Sequence, residues 1–224
     1  MKDLSTWCPC ARPGQATLAG TYAHLEPYDQ KAHGDGLYAA LCGAGNADLW
    51  QYMPAGPFDQ IADFLSLLTQ AHDMLAWQTM VIRDADTLEI LGMASYMRIR
   101  EDHGSAEVGC VTFSKKLQRS RIATDAMYQM ARHVFVELGY RRYEWKCDNA
   151  NETSKRAALR FGFCYEGIFR HDLVVKGRNR DTAWYAMTDG DWPLLEQGFT
   201  AWLDPRNFGD AGCQLTSLAV QQGV

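Results

Sequence analysis

The 224-residue chain has no run of about 18 apolar residues, no long Pro/Gly/Ser-rich linker and no concentration of positive charge. Its N-terminus also lacks a basic segment followed by an apolar one, so we expect a soluble, cytoplasmic protein without a membrane partner. The formal net charge of -5 argues against sequence-independent nucleic-acid binding, which needs a concentrated positive field. One large domain is the default at this length.

The seven cysteines are an odd number, and several lie in apolar, strand-like stretches, so we expect them to be reduced. Cys8 and Cys10 are separated by a single residue, which is not the usual spacing of zinc ligands. No second Cys/His pair lies nearby to complete four ligands. We therefore predict no metal site.

Hydrophobic periodicity predicts a mixture of strands and helices in the main domain, residues 20–195, between a loosely docked N-terminal arm, 1–19, and a C-terminal extension, 196–224. Pro57 is well placed to start the first helix. A strand, a helix and a strand between 107 and 147 predict a right-handed crossover. The predicted strands are 21–26, 77–83, 88–99, 107–113, 142–147, 163–175 and 180–187, and the predicted helices are 57–69, 122–138 and 151–161.

A basic turn, Gln118-Arg119-Ser120-Arg121-Ile122-Ala123, lies where a predicted strand gives way to a helix. The first N–H groups of a helix have no intrahelical acceptor and carry partial positive charge, so they attract anions, and the two arginines beside them, Arg119 and Arg121, favour a diphosphate. The same arginines could also simply solvate a helix start. Asn151 follows Ala123 by 28 residues and precedes Ser154 and Phe161-Gly162-Phe163. By itself, Asn151 is equally well explained as a helix N-cap.

Together these motifs resemble the coenzyme A site of the GNAT acyltransferases, and the resemblance to the RimJ/RimL-like branch extends from about Thr21 to Pro193. The family turn is Gln/Arg-x-x-Gly-x-Gly/Ala; Gln118 and Ala123 match it, whereas Arg121 occupies the first glycine position. The resemblance implies an α/β (α+β) fold, with a mixed, mostly antiparallel sheet that splays between its fourth and fifth strands and is flanked by helices. The segments 145–148, 166–170 and 174–184 look typical of one subgroup, and 49–54 resembles its N-terminal half.

The resemblance also implies an N-acyltransferase that uses acetyl-CoA, or another acyl-CoA such as succinyl-CoA, and needs no metal. A primary amine would attack the thioester directly and form a tetrahedral intermediate. The acceptor would be a small-molecule amine or a protein N-terminus, and the sequence allows a homodimer. A catalytically weak module that binds coenzyme A or a partner protein is the alternative, supported by the altered glycine position. An RNA-associated protein that uses residues 176–180 is a further alternative, against which the acidic balance counts.

The implied chemistry needs an oxyanion donor, a base for the amine and an acid for the thiolate. Glu107 is the candidate base, although its residue type also fits a solvated strand end. Leu173 stands where the ribosomal-protein branch has a glutamate, and its neighbours His171 and Asp172 are lesser candidates. Ser154 is the candidate acid, with Tyr185 as competitor. The candidates on the cofactor side are Val111, Thr112, Phe113, Gln118, Arg119, Ser120, Arg121, Ile122, Ala123, Thr124, Asn151, Ser154, Lys155 and Arg156.

Overall fold

The computed structural model describes residues 3–209 and 212–218. Its centre is an eight-stranded sheet in the order β1-β2-β3-β4-β5-β6-β8-β7. Within the described residues, β5 and β6 form a parallel pair and the other six neighbouring pairs are antiparallel, which confirms the predicted mixed, mostly antiparallel sheet. The strands are β1 Leu18–Ala19, β2 Ala23–Pro27, β3 Gln78–Asp84, β4 Ile90–Arg100, β5 Ser105–Phe113, β6 Arg142–Asp148, β7 Cys164–Val175 and β8 Arg178–Thr188.

Helices pack on both faces of this sheet. The prediction that a helix starts at Pro57 is wrong, because α2 begins at Ile61 and ends at Leu75, past the predicted end at residue 69. Two helices, α1 and α5, have no counterpart in the sequence-based prediction. None of the helices within 3–209 and 212–218 combines the length and apolar character needed to cross a bilayer. The helices are α1 Gln30–Leu41, α2 Ile61–Leu75, α3 Arg121–Arg132, which continues as a π-helical turn over His133–Glu137, α4 Glu152–Arg160 and α5 Trp192–Leu203.

Each face of the sheet has its own core. On one face, β3 and β4 contribute Val81 and Met93, which pack with side chains of α1 and α2 such as Leu37 and Phe64. On the other face, the larger cluster joins the inner strands to α3, α4 and α5. Because side chains alternate along a strand, each of the central strands serves both faces.

The N-terminal arm is held to the body of the protein, so the expectation of loose docking is wrong for its central part. Trp7 Nε1 donates to the carbonyl oxygen of Asp102 at 2.8 Å, and Arg12 forms an ion pair with Glu101 at 2.8 Å. The division of the chain at positions 19 and 195 stays a prediction, and α5 runs across the second of these positions.

Helix α3 is anchored to β2 by the buried carboxylate of Asp125. Its Oδ2 atom accepts hydrogen bonds from the backbone N–H groups of Tyr22 at 2.6 Å and Ala23 at 3.0 Å. Its Oδ1 atom accepts from Gln129 Nε2 at 3.1 Å. A Cβ atom at Gly20 would collide with this carboxylate, so the chain needs a glycine where it passes over the helix. The position of α3 in the fold is thereby set by polar bonds as well as by apolar packing.

Asp125→Ala should lower the free energy of unfolding by about 2–4 kcal/mol, because it leaves buried backbone donors without an acceptor. Urea unfolding measures this loss. The matched control is Gln129→Ala, which removes one bond to the same carboxylate and should cost about 1 kcal/mol. Equal losses in the two variants would show that the carboxylate does not anchor the helix.

Candidate functional site

Strands β5 and β6 separate halfway along their length. Their parallel ladder starts at Ser105 opposite Arg142 and ends at Val108 opposite Trp145. Beyond that point β5 stays paired with β4 and β6 stays paired with β8. A gap therefore opens between the carboxyl-terminal halves of two parallel strands, a position where α/β sheets bind ligands. These two strands correspond to the fourth and fifth strands of the sequence-based expectation.

The β5 edge of this gap carries a bulge. Met93 of β4 lies opposite Thr112 and Ser95 lies opposite Gly109, so β5 has one residue more than β4 in this interval. Cys110 adopts a left-handed backbone conformation with φ of 48°, which a non-glycine residue rarely does. Bulges next to functional sites re-aim backbone and side-chain groups. The oxyanion candidates Val111, Thr112 and Phe113 are the residues that follow this change of direction.

The basic turn leads directly from β5 into α3. Ser120 is the N-cap of the helix, and its Oγ atom accepts a hydrogen bond from the N–H group of Ala123 at 3.0 Å. The cap leaves the N–H groups of Arg121 and Ile122 directed out of the first turn. Gln118 Nε2 donates to the carbonyl oxygen of Phe113 at 3.0 Å and closes the turn. The helix end thus presents backbone donors beside the gap.

The two arginines of the turn have different surroundings. Arg119 is exposed, and its φ of 59° is left-handed. The guanidinium of Arg121 lies 4.4 Å from the ring centroid of Tyr22 and 5.6 Å from that of Phe208. Cation–π contacts of this kind orient a guanidinium without using its N–H donors. Arg121 is therefore held in place at the glycine position of the motif while its donors stay available to an anion.

Helix α4 begins on the other side of the gap. Asn151 is its N-cap and accepts from the N–H group of Ser154 at 3.0 Å, so the capping role is present whatever else this residue does. Lys155 forms an ion pair with Glu152 at 2.8 Å on the helix surface. Arg156 lies 3.5 Å from the Thr153 hydroxyl. These basic side chains can reach an anion only by leaving short-range partners on their own helix.

Arg160, which sequence reasoning missed, connects α4 to the first turn of α3. Its Nη1 atom donates to Thr124 Oγ1 at 3.0 Å, and its guanidinium lies 5.1 Å from the Trp202 ring centroid. Burial lowers the pKa of Arg160 from its usual value. The residue had no sequence signal, because a basic side chain in the last turn of a helix is common.

Glu107 is buried, with 5 % of its surface exposed, so the reading as a solvated strand end is wrong. Its Oε2 atom forms an ion pair with Lys146 Nζ at 2.7 Å. A Cβ atom at Gly109 would lie 3.1 Å from Glu107 Oε1, so this second oxygen lies beside the first residue past the β5–β6 ladder. Burial raises the pKa of Glu107, and the adjacent Lys146 offsets part of the increase. A carboxylate with a raised pKa is a better base near neutral pH.

Further charged side chains lie next to the Glu107–Lys146 ion pair, on the same face of the sheet. Lys146 also lies 3.1 Å from Glu144 Oε2. Glu144 Oε1 accepts from Arg100 at 2.9 Å and from Arg142 at 2.8 Å. Although burial opposes ionisation, the bonds from Arg142 and Lys146 lower the pKa of Glu144. Two carboxylates on adjacent strands thus have their pKa values moved in opposite directions, a pattern that separates a base from a structural anion.

Ser154 and Tyr185 both lie close to Trp145, the last residue of the β5–β6 ladder. Trp145 Nε1 donates to Ser154 Oγ at 3.0 Å, and Tyr185 pairs with Trp145 across β6 and β8. Burial raises the pKa of the Tyr185 hydroxyl. Since Glu107 and Val108 are consecutive, their side chains leave the sheet on opposite faces. The candidate base therefore lies on one face at the end of the ladder, and both candidate acids lie toward the other.

The lesser base candidates are farther from the gap. His171, Asp172 and Leu173 belong to β7, the edge strand, and β8 separates that strand from β6. The backbone N–H of His171 donates to Asp181 Oδ1 at 2.8 Å, in a bulged part of the hairpin. Of the candidate bases, the structure places Glu107 beside the gap.

A short segment, Ala44–Trp50 and the residues that follow it, borders the gap on the α1–α2 side. Lys115 Nζ, in the loop between β5 and α3, donates to the carbonyl oxygen of Gly45 at 2.6 Å. Lys176 Nζ from the β7–β8 turn donates to the carbonyl oxygen of Trp50 at 2.8 Å. Tyr52 reaches the carbonyl oxygen of Ala150 at 3.2 Å. The segment is therefore hydrogen-bonded to the loop that follows β5 and to the loop that follows β6. The side chain of Trp50 itself belongs to the core.

Over the part of the chain that the structure describes, no group of three or more His, Cys, Asp or Glu side chains is arranged to hold a metal ion. The donors around the gap are instead backbone N–H groups, arginines and a hydroxyl, which suit a phosphate-bearing thioester.

Known proteins share this architecture. The family model described as an acetyltransferase (GNAT) domain matches residues 24–164. A GCN5-related N-acetyltransferase from Brucella melitensis is 39% identical, with a TM-score of 0.91 over 96% of this chain and 97% of that one. A probable GNAT acetyltransferase from Chromobacterium violaceum ATCC 12472 is 37% identical, with a TM-score of 0.81 over 86% of this chain and 96% of that one.

Among curated proteins, YdaF of Bacillus subtilis (strain 168), provisionally named a ribosomal N-acetyltransferase, is 28% identical over 103 residues, which are 46% of this chain. The matched part spans 56% of YdaF, less than two thirds of its length. The match to the family model, the fold and the gap between β5 and β6 all indicate the same family. The chain belongs to the GNAT acetyltransferase family.

Proposed function

We propose that the protein is an N-acetyltransferase that transfers acetyl from acetyl-CoA to a primary amine. The observation that carries this proposal is the end of the β5–β6 ladder, where Glu107 lies on one face and Ser154 and Tyr185 lie toward the other. A thioester in the gap would be open to an amine from the first face and could lose its thiol on the second. Acetyl-CoA supplies the reactive carbonyl carbon.

The protein's own residues would each do one part of this work. Glu107 Oε1 would take a proton from the attacking amine, since Oε2 is bound to Lys146. Backbone N–H groups near Val111 would stabilise the oxyanion, because fixed dipoles there need no reorganisation. Ser154 would give its proton to the departing sulfur and regain one from solvent, while Glu107 releases the proton of the amine to solvent. The N-terminus of α3, with Arg119 and Arg121, would hold the diphosphate.

A binding module without turnover is the second candidate. Arg121 at a glycine position favours it, because a side chain there changes how closely a diphosphate can approach the backbone. The buried, raised-pKa carboxylate beside the gap favours the enzyme, because such groups are characteristic of acid–base sites. We therefore prefer the enzyme. The acceptor is a small-molecule amine or a protein N-terminus, and succinyl-CoA is an alternative donor.

The test is mass-resolved thiol release from acetyl-CoA and succinyl-CoA with polyamines, amino acids, aminoglycosides and N-terminal peptides as acceptors. An acylated amine formed together with free thiol supports the enzyme and identifies donor and acceptor class. Tight coenzyme A binding with no acylated product from the whole panel would favour the binding module.

Replacing both Arg119 and Arg121 by alanine should weaken binding of acetyl-CoA, by at most about 1.5–3 kcal/mol per lost charge-assisted contact. Calorimetry with coenzyme A measures this loss. S-acetylpantetheine, which lacks the diphosphate, provides the control, because its binding should not respond to either change. The assignment of the turn fails if coenzyme A affinity stays at the wild-type value, or if both ligands lose affinity equally.

A further inference from the structure

The face that carries Glu107 holds a group of ionic side chains from β4, β5, β6 and β7, with an excess of positive charge. Helices α1 and α2 pack on β3 and β4 of this face, whereas the strands beyond them carry ionic side chains. Three carboxylates and four cations form the connected group. Its members are Glu107, Glu144, Glu166, Lys146, Arg98, Arg100 and Arg142.

Arg98 is the cation of this group that lacks a close anionic partner. Lys146 lies 2.7 Å from Glu107, and Arg100 and Arg142 each lie within 2.9 Å of Glu144. The nearest carboxylate oxygen to Arg98 Nε is Glu107 Oε2, at 3.7 Å, and that oxygen is already bonded to Lys146. The Arg98 side chain is 54% exposed. Its guanidinium therefore keeps N–H donors free for a ligand.

The backbone directs Arg98 toward the candidate base. The β4–β5 register shifts between Met97 and Arg100, and Arg98 has a left-handed φ of 43° within this irregularity. A non-glycine residue in that region is strained, and such strain is found where a fold re-aims a functional side chain. The guanidinium then lies 5.5 Å from the ring centroid of Trp184, whose face also contacts Lys146. The ring orients the cation and leaves its N–H edge uncovered.

We propose that the acceptor is a small amine that also carries a carboxylate, such as an amino acid, and that Arg98 binds this carboxylate while Glu107 faces the amine. The proposal rests on the acetyltransferase function proposed above and specifies its substrate class. A guanidinium binds a carboxylate through two parallel hydrogen bonds, which fixes orientation as well as charge. A polyamine would instead place a second cation against Arg98, so its binding would be disfavoured.

The test compares kcat/KM for a panel of amino acids with that for the corresponding amino acid amides, together with spermidine, using acetyl-CoA as donor. Each amide keeps the amine and loses the negative charge. Wild-type protein should prefer at least one acid over its amide by about tenfold or more, the effect of one charge-assisted contact. Arg98→Gln should abolish this preference, and Arg98→Lys, which keeps the charge but not the paired donors, should retain part of it.

Arg206→Gln is the matched control, because Arg206 is an exposed arginine that pairs with Asp204 outside this charged group. The ratio of kcat/KM for acid over amide in this variant should equal the wild-type ratio. The wild-type ratio tests the proposal even if Arg98→Gln does not fold. Equal use of acids and amides, a preference for spermidine, or a preference that survives Arg98→Gln would overturn the substrate assignment and leave the acetyltransferase intact. Failure of every amine to be acetylated would overturn both.

Discussion

Glu107→Gln should lower kcat by about 10²–10⁴-fold, the contribution typical of a general base, while affinity for acetyl-CoA changes little. The amide keeps the shape of the carboxyl group but cannot accept the proton of the attacking amine. Steady-state kinetics and calorimetry with coenzyme A separate these effects. The loss of activity should appear in kcat, because a general base acts in the chemical step and not in the binding of acetyl-CoA.

The pH dependence of kcat/KM gives a sharper test of the same residue. Burial raises the pKa of Glu107 above its ordinary value of 4.5, so the wild-type acid limb should lie above pH 4.5. The group must be ionised to act, so activity rises with pH through that pKa. Glu107→Gln should lack this limb. Lys146→Met should move it to higher pH, because Lys146 lowers the pKa of Glu107.

Glu166→Gln is the matched control for the Glu107 change. It alters another carboxylate of the same charged group, bonded to Arg142 at 2.6 Å but far more exposed. It should keep wild-type kcat and the acid limb. A Glu107→Gln variant with wild-type turnover at every pH would remove Glu107 as base.

The sequence predicts the elements around the gap better than it predicts the rest of the fold. Helix α3 starts within one residue of the expected position, since its apolar stripe is regular and Ser120 caps it. Helix α1 escapes prediction because Gly34 and Gly36 interrupt its pattern. The structure explains Gly34, because a Cβ atom there would lie 2.9 Å from Leu65 of α2. Close helix packing selects a residue that local propensity disfavours.

Some residues of the candidate site can likewise be predicted from the sequence, and others cannot. Glu107 and Ser154 are visible in the sequence because each lies in a local motif. Lys146, the partner of Glu107, is 39 residues away, and only the register of β5 against β6 brings the two together. Arg98 is invisible for another reason, because its direction depends on a left-handed residue inside a strand. Periodicity assumes regular strands and cannot show where one is bulged.

The turn before α3 and the N-capped start of α4, which we propose hold coenzyme A, can be predicted from the sequence because both are local structures. The ion pair of Glu107 with Lys146 and the direction of Arg98, to which we assign the tuning of the base and the choice of acceptor, depend instead on contacts between strands. Relatives can therefore share the cofactor-side motifs and differ in acceptor, because a change in one bulge or one ion pair alters the second group without affecting the first.

Ser154→Ala should slow thiol release by about 10²-fold or more, while coenzyme A affinity stays near the wild-type value. The Ser154 hydroxyl accepts from Trp145 Nε1 at 3.0 Å, which directs its own proton away from the indole. Removing it takes the proton donor from the departing sulfur and leaves the indole N–H without its acceptor. The second effect should cost about 1 kcal/mol of stability, which urea unfolding measures independently.

Tyr185→Phe is the competing variant, since Tyr185 lies opposite Trp145 on β8 and has only 2 % of its surface exposed. Loss of its hydroxyl should leave thiol release near the wild-type rate if Ser154 is the acid. The reverse pattern, a wild-type rate in Ser154→Ala and slow release in Tyr185→Phe, would transfer the role to the tyrosine. Wild-type rates in both single variants and in the double variant would mean that solvent protonates the thiolate, and that the second face of the ladder only binds the cofactor.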